Sequence, residues 1–296
     1  MIMKKTAIFW AILAAALYAL NSPVSKLLLD QIPPTMMAAL LYLGAGIGLT
    51  AVRLVQRGMG KGKKEEPLTR KDLPFTIGMV ALDIAAPIFL MIGLTMTTAA
   101  NASLLNNFEI AATSVIALGI FKETISKRLW TAIAFVTVGS IVLSVEDMSS
   151  FSFSFGSLFV LLACVCWGFE NNCTRMISNK DPLEIVVIKG FGSGLGSLVI
   201  ALVLGEGLPD WGYAACALLL GFVAYGLSIF FYIYAQRYLG AAKTSAYYAL
   251  APFIGTALSL VIFREIPTVS FVAALAFMIA GAYLASTDAG ECFQKA

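Results

Sequence analysis

Three carboxylates, Asp83, Glu109 and Glu170, stand inside long apolar runs of this 296-residue chain, and they are the residues with most chemistry to offer. An ionised acid at the centre of a membrane-spanning helix costs ~2.5–3.5 kcal/mol on insertion scales, and such residues usually face a bundle interior or a wet cavity. Asn106 lies three residues before Glu109 and Thr113 four after it, so the three share one helical face, with Asn107 adjacent. A carboxyl in that setting can exchange a proton for a cation, which makes Glu109 the candidate for proton coupling. Glu170 shares its face with Trp167 and precedes Asn171 and Asn172. An aromatic beside a carboxylate suits an ammonium head through charge and cation–π attraction. The plainer readings are a neutral Glu109 hydrogen-bonded between helices, and an ion pair of Glu170 with Lys189 or Arg175.

Other chemistries lack their residues. The chain has no histidine, which removes Ser/His/Asp and Cys/His catalytic sets. Asp83 is the only aspartate in a span interior, so no facing aspartyl pair is available. Cys164, Cys166, Cys173 and Cys216 lie in apolar runs and Cys292 in the C-terminal tail; without histidine they make a poor zinc site and read as packing residues. The run G-K-G-K-K at 60–64 lacks the G-x-x-x-x-G-K-[ST] pattern and reads as a solvated basic loop. No enzyme, cofactor, metal or nucleic-acid partner is expected.

The elements that must position these acids are apolar. Hydrophobic residues make up 59% of the chain and charged ones 12%, with mean hydropathy +0.87, where soluble chains carry roughly 25% charged residues. Stretches of about 20 apolar residues recur, each enough to cross ~30 Å of hydrocarbon. Ten spans are expected, near 7–29, 35–57, 73–95, 99–121, 128–146, 155–177, 184–204, 211–235, 242–263 and 267–286. The first begins after Lys4 and Lys5 and runs on without an A-x-A cleavage site, so it reads as a helix and not a leader. Lysine and arginine gather in one set of loops (Lys61 to Lys71, Lys122, Lys127, Arg128, Arg175, Lys180, Arg237, Lys243), with Lys26 and Arg264 as exceptions. The positive-inside rule then places both termini in the cytoplasm.

The chain also repeats itself. Slid forward by 142 positions, Ala99–Glu123 falls without a gap on Ala241–Glu265, with Ala99, Ala100, Ser103, Leu118, Ile120, Phe121 and Glu123 meeting identical residues. The match runs on through Ala134, Phe135, Gly139 and Ser144, which meet Ala276, Phe277, Gly281 and Ser286. In the first spans, at an offset of 149, Tyr18, Asn21 and Ser25 meet Trp167, Glu170 and Thr174. Five spans per copy is an odd number, so the second copy starts on the opposite face. The expected fold is an all-α membrane protein of two inverted five-helix repeats, 1–148 and 149–296. Glu109 faces Ala251, so only one copy carries that acid, while Asp83 falls at Gly226 after a one-residue slip. Glu123 and Glu265 close F-K-E and F-R-E, a repeated sequence suited to fixing a helix end. Gly44, Gly46, Gly48 and Gly190, Gly192, Gly194, Gly196 invite close helix packing. Pro23, Pro87 and Pro252 are candidate breaks beside a cavity, and Lys243 could snorkel or meet a solute carboxylate.

Ten spans in inverted halves closing on F-K-E and F-R-E resemble the EamA family of the drug/metabolite transporter superfamily. The stretches LLYLGAGIGL (40–49), PIFLMIGLTMTTAANASLLNNFEIAATSVIALGIFKE (87–123) and DPLEIVVIKG (181–190) carry the resemblance, which covers about 7–286. It implies a cavity lined by the first, third, fourth, sixth, eighth and ninth helices. That carries candidate lining onto Tyr18, Asn21, Asp83, Asn106, Glu109, Trp167, Glu170, Tyr225, Tyr232 and Tyr248. Related four-helix exporters couple through a glutamate in their first helix, where this chain has Asn21. The function expected is secondary transport by alternating access, export being the family's commoner direction. The cargo would be a small cationic or zwitterionic metabolite such as an amino acid or amine, coupled to protons, across a cytoplasmic membrane, by a monomer or homodimer. An uncoupled facilitator and a non-transporting scaffold or receptor are the alternatives.

Overall fold

Within a bilayer every backbone N–H and C=O must find a partner in its own segment, which makes helices the solution for these apolar runs. The computed structural model describes residues 2–58, 66–122, 125–147, 152–178, 180–239 and 247–288. It is helical apart from a small antiparallel ribbon, Val145–Asp147 with Ser152–Phe153. In chain order come α1 (Ile2–Ala19), α2 (Asn21–Leu28), α3 (Pro34–Gly58), α4 (Leu73–Met96), α5 (Ala99–Leu105), α6 (Phe108–Gly119) and α7 (Lys127–Ser144). Then follow α8 (Phe155–Met176), α9 (Pro182–Val203), α10 (Trp211–Gly221), a π-helical turn (Phe222–Leu227), α11 (Ser228–Leu239), α12 (Ala251–Phe263) and α13 (Val269–Asp288). Among the described residues eight helical stretches are long and apolar enough to span a membrane.

Two of the ten expected spans are not such helices. The run 99–121 is broken into α5 and α6, and of 242–263 the described helix is α12, 13 residues long. The first break has a cause at Asn107, whose side-chain Nδ2 donates to the Leu104 carbonyl at 2.9 Å while its backbone N–H donates to the same oxygen at 3.2 Å. That local bond competes with the helical ladder. Before α12 the turn at Ala249 and Leu250 precedes Pro252, which has no N–H to give and suits a first helical turn. Pro23 sits early in α2, just after the helix is interrupted at Leu20, whereas α4 runs unbroken through Pro87. Lys122 and Arg264 each turn into the left-handed region, at φ 59° and 52°, directly after Phe121 and Phe263. The repeated F-[KR] therefore ends a helix in both places, with a cation where the helix's negative end favours one. Glu123, Lys243, residues 59–65 of the basic loop and Cys292 lie outside the described residues.

The helices pack in recognisable pairs: α1 with α11, α3 with α9, α4 with α8, α5 with α12 and α7 with α13. Gly46 and Gly190 bring α3 and α9 into backbone contact; a Cβ on Gly190 would land on the Gly46 amide. In the last pair Gly139 lies against Ala274 and Met278, Gly281 lies against Ala132 and Val136, and Phe135 meets Phe277 at 5.8 Å between ring centroids. At the start of α3 the Glu206 carboxylate accepts the backbone N–H groups of Met36 at 2.6 Å and Thr35 at 3.3 Å, satisfying donors the helix cannot. Glu206→Ala should lower the melting temperature by a few degrees, about 1 kcal/mol for a lost anionic cap. Glu206→Asp, one methylene short, should recover only part of it. An unchanged melting point in Glu206→Ala would show that water caps α3 equally well.

Candidate functional site

The sharpest feature of the interior is an ion triad built by three helices. Lys189 on α9 places Nζ 2.8 Å from Glu170 Oε1 on α8 and 3.2 Å from Asp83 Oδ2 on α4. All three side chains are buried, Asp83 wholly. Tyr42 on α3 donates its hydroxyl to Asp83 Oδ1 at 2.8 Å, and Thr174, one turn along α8, donates to Glu170 Oε1. Among the described residues Asp83 Oδ2 has no hydrogen-bond partner, with the Lys189 ammonium opposite within ion-pair range. Two carboxylates share one cation, so with all three ionised the group carries one net negative charge in a buried place. The Gly46–Gly190 approach, one residue from Lys189, lets α9 come close enough for this. The plainer reading of Glu170, an ion pair with Lys189, is thus realised, and Asp83 joins it.

A second network adjoins. Asn21 donates to the Tyr225 hydroxyl at 2.9 Å and accepts from Ser25 at 3.1 Å, and the Tyr225 ring lies 5.0 Å from that of Tyr42. Tyr18 packs 6.0 Å from Tyr225 and 5.8 Å from Tyr248, which in turn meets Tyr232 at 5.0 Å. The Tyr248 hydroxyl lies 3.3 Å from Ser228 Oγ, which also donates to the Ala14 carbonyl at 2.9 Å. Tyr225 belongs to the π-helical turn, the kind of helical irregularity that recurs at functional sites.

Glu109 is not where an unbroken span would put it. It lies in the first turn of α6, at the end of the helix that favours an anion. Its Oε1 accepts from Asn171 Nδ2 at 2.6 Å, and Asn171 also reaches Thr113 Oγ1 at 3.4 Å. Asn172 donates to the carbonyls of Thr113 at 3.1 Å and Gly168 at 2.8 Å. One turn of α8 therefore joins the ion triad through Glu170, holds the α6 carboxylate through Asn171 and holds the α6 backbone through Asn172. Trp167 is buried in the apolar core, and Asn106 meets Cys164 Sγ at 3.9 Å.

Among the described residues little space borders this centre. Tyr18, Ser22, Ser103, Asn106, Pro252 and Gly255 border a void of about 10 Å³, the size of a single water at most. On the lysine-rich side Arg53 pairs with Asp181 at 3.2 Å, Lys180 with Glu66 at 3.2 Å, and the Asp181 N–H reaches the Glu66 carbonyl at 2.8 Å. At the opposite ends of the helices a cavity of about 490 Å³ opens, bordered by Lys26, Thr98, Asn101, Glu265 and Thr268 among others. Lys26 there donates to the carbonyls of Leu94 and Thr97, the latter at 2.9 Å, at the end of α4. Helix α5 borders both spaces, with Asn101 on the cavity and Ser103 on the void.

Of the ten residues expected from the sequence, the structure joins Asp83 with Glu170, Asn21 with Tyr225, and Tyr18 with Tyr225, Tyr248 and through it Tyr232. It sets Glu109 beside the triad's helix, puts Asn106 on the small void with Tyr18 and against Cys164, and leaves Trp167 in the apolar core. Tyr42 and the double engagement of Lys189 were not foreseen.

Comparison with known proteins agrees with this architecture. The model of the EamA-like transporter family matches residues 5–145 and again 154–287. A protein named uncharacterized transporter from Methanothermobacter thermautotrophicus is 26% identical over 276 residues, covering 86% of this chain and 78% of its own. The uncharacterized transporter YyaM of Bacillus subtilis is 22% identical over 250 residues, 80% of each. A solved crystal structure superposes with a TM-score of 0.66 over 98% of this chain and 99% of its own, at 18% identity, and so shares the fold. With two successive matches to one family model and an interior of polar groups enclosed by spanning helices, the chain belongs to the EamA-like transporter family.

Proposed function

We propose that this transporter is a secondary carrier, working by alternating access, for a small organic solute that bears an ammonium group, exported in exchange for protons through Glu109. Its halves, 1–148 and 149–296, are inverted repeats, and both termini face the cytoplasm across the cytoplasmic membrane. The contact of α7 with α13 supports the repeat. Gly139, Ala132, Val136 and Phe135 correspond to Gly281, Ala274, Met278 and Phe277 at the repeat's spacing. Each glycine touches the counterparts of the residues its own partner touches, and the two phenylalanines touch each other. A contact that maps onto itself when its partners are exchanged is the property of a two-fold relation. Packing of α1 with α11 and of α4 with α8 is likewise one interaction seen from each half. Carrier folds of this plan hold their solute near the midplane between halves, where broken helices supply polar ends; α5–α6 and the turn before α12 fit that description.

The observation that carries the solute class is the convergence of Asp83 and Glu170 on one ammonium. A thermal-shift screen of the purified protein against amino acids, amines and nucleosides, repeated with Asp83→Asn, tests it. Amines or amino acids should stabilise the parent and lose most of that effect in the variant, and stabilisation confined to nucleosides or anions would sink the reading. Coupling is separable from binding. In proteoliposomes Glu109→Gln should still bind the stabilising solute, while solute-driven proton flux falls by about a hundredfold, the lower end of what a positioned proton carrier contributes. Proton flux that survives in Glu109→Gln removes Glu109 from coupling and leaves an uncoupled facilitator.

A further inference from the structure

The triad holds more cation-binding capacity than an internal salt bridge uses. Two carboxylates from different helices meet one ammonium, and one buried oxygen, Asp83 Oδ2, is left without a hydrogen bond. The cation itself arrives on a flexible four-carbon stem from a third helix, with its Nζ 2.8 and 3.2 Å from the two acids. Distances this short require N–H donors on the cation; a quaternary nitrogen, wrapped in methyl groups and without a proton to give, cannot come so close.

We infer that Lys189 is a tethered stand-in for the solute, its ammonium holding the place between Asp83 and Glu170 that a primary ammonium of the cargo takes when Lys189 swings aside. The inference rests on the transport reading and refines it: the site selects primary over quaternary amines, and the empty carrier keeps its two acids paired with its own lysine. The tether explains how a closed, empty state is tolerated at all, since two bare carboxylates in the interior would be severely destabilising. It also sets a competition, because solute binds only as strongly as it outbids a cation already in place.

Chemical rescue tests this without knowledge of the natural solute. Lys189→Ala removes Cγ, Cδ, Cε and Nζ, and n-propylammonium supplies that fragment untethered. Purified Lys189→Ala should melt well below the parent, and millimolar n-propylammonium should restore at least about half of the lost melting temperature, while n-propanol and tetramethylammonium restore none. The parent, with its own ammonium in competition, should need about tenfold more n-propylammonium for a comparable shift. Where Lys189→Ala cannot be purified folded, Lys189→Ala/Asp83→Asn keeps the parent's net charge in the triad and should show the same selective stabilisation through Glu170. Absence of rescue in a folded variant, rescue by propanol or tetramethylammonium, or an equal response of the parent overturns the inference. None of these results bears on whether some solute crosses the membrane, which the flux assays decide separately.

Discussion

Lys189→Met, in an otherwise unchanged chain, is expected to lose about 3–5 kcal/mol of stability, the cost of removing one partner from a buried ion group. At roughly 2–4 °C per kcal/mol the melting temperature should fall by about 10 °C. Methionine fills most of the volume of the lysine stem, so the loss reports charge and not a cavity. What remains is Asp83 and Glu170 facing one another with no cation between them, each held by one hydroxyl, from Tyr42 and Thr174. Neutralising one acid relieves that, and Lys189→Met/Asp83→Asn should recover more than half of the loss. Glu170→Gln alone should cost less than Lys189→Met, because the lysine keeps Asp83 as its partner. A Lys189→Met protein that melts with the parent would mean that the triad is solvated in solution and is not a buried cation site.

The contrast between what was legible in the sequence and what was not follows the same physics. Apolar run length announced a membrane protein, and like residues at constant spacing pointed to the two stretches that match one family model; both signals are local or periodic. Counting i−3 and i+4 neighbours gives the face Glu109 shares with Thr113, which Asn171 also reaches, but not the helix start that places Glu109 in a first turn. The adjacent Asn106 and Asn107 were visible, but only the geometry shows Asn107 taking the Leu104 carbonyl and starting α6 anew. Lys189 was recognised as a partner for Glu170, though not for Asp83 as well. Which helices touch is a tertiary fact, and α4 and α9 are far apart in the chain. Tyr42 sits among Leu40, Leu41 and Leu43 with nothing beside it to mark a polar role. The glycine spacing was easier to read, since a row of residues without side chains has few uses in a spanning helix other than close approach.

That close approach sets the last large effect. Gly44 on α3 and Gly221 at the end of α10 face each other's helices backbone to backbone: a Cβ on Gly221 would land on the Leu41 carbonyl, and one on Gly44 on the Leu218 carbonyl. Neither obstacle is a side chain that can rotate away, so α3 and α10 must separate. Overpacking of this kind costs about 3 kcal/mol, at the upper end of the usual range, and Gly221→Val should show it as a melting temperature lowered by roughly 6–12 °C. Gly212, in the same helix, has nothing within 4 Å of the Cβ it would gain. Gly212→Ala should therefore leave stability unchanged or raise it slightly, as alanine is the better helix former. The functional consequence is separate from the thermal one. Tyr42 follows Leu41 directly, so pushing α3 outward draws its hydroxyl from the 2.8 Å bond to Asp83, while Tyr225, in the π-helical turn after Gly221, moves relative to Asn21. Even the milder Gly221→Ala, folded at low temperature, should bind amines more weakly than the parent, whereas Gly212→Ala should match it. Equal amine binding by Gly221→Ala and the parent would detach the α3–α10 contact from the site and leave it a purely structural seam.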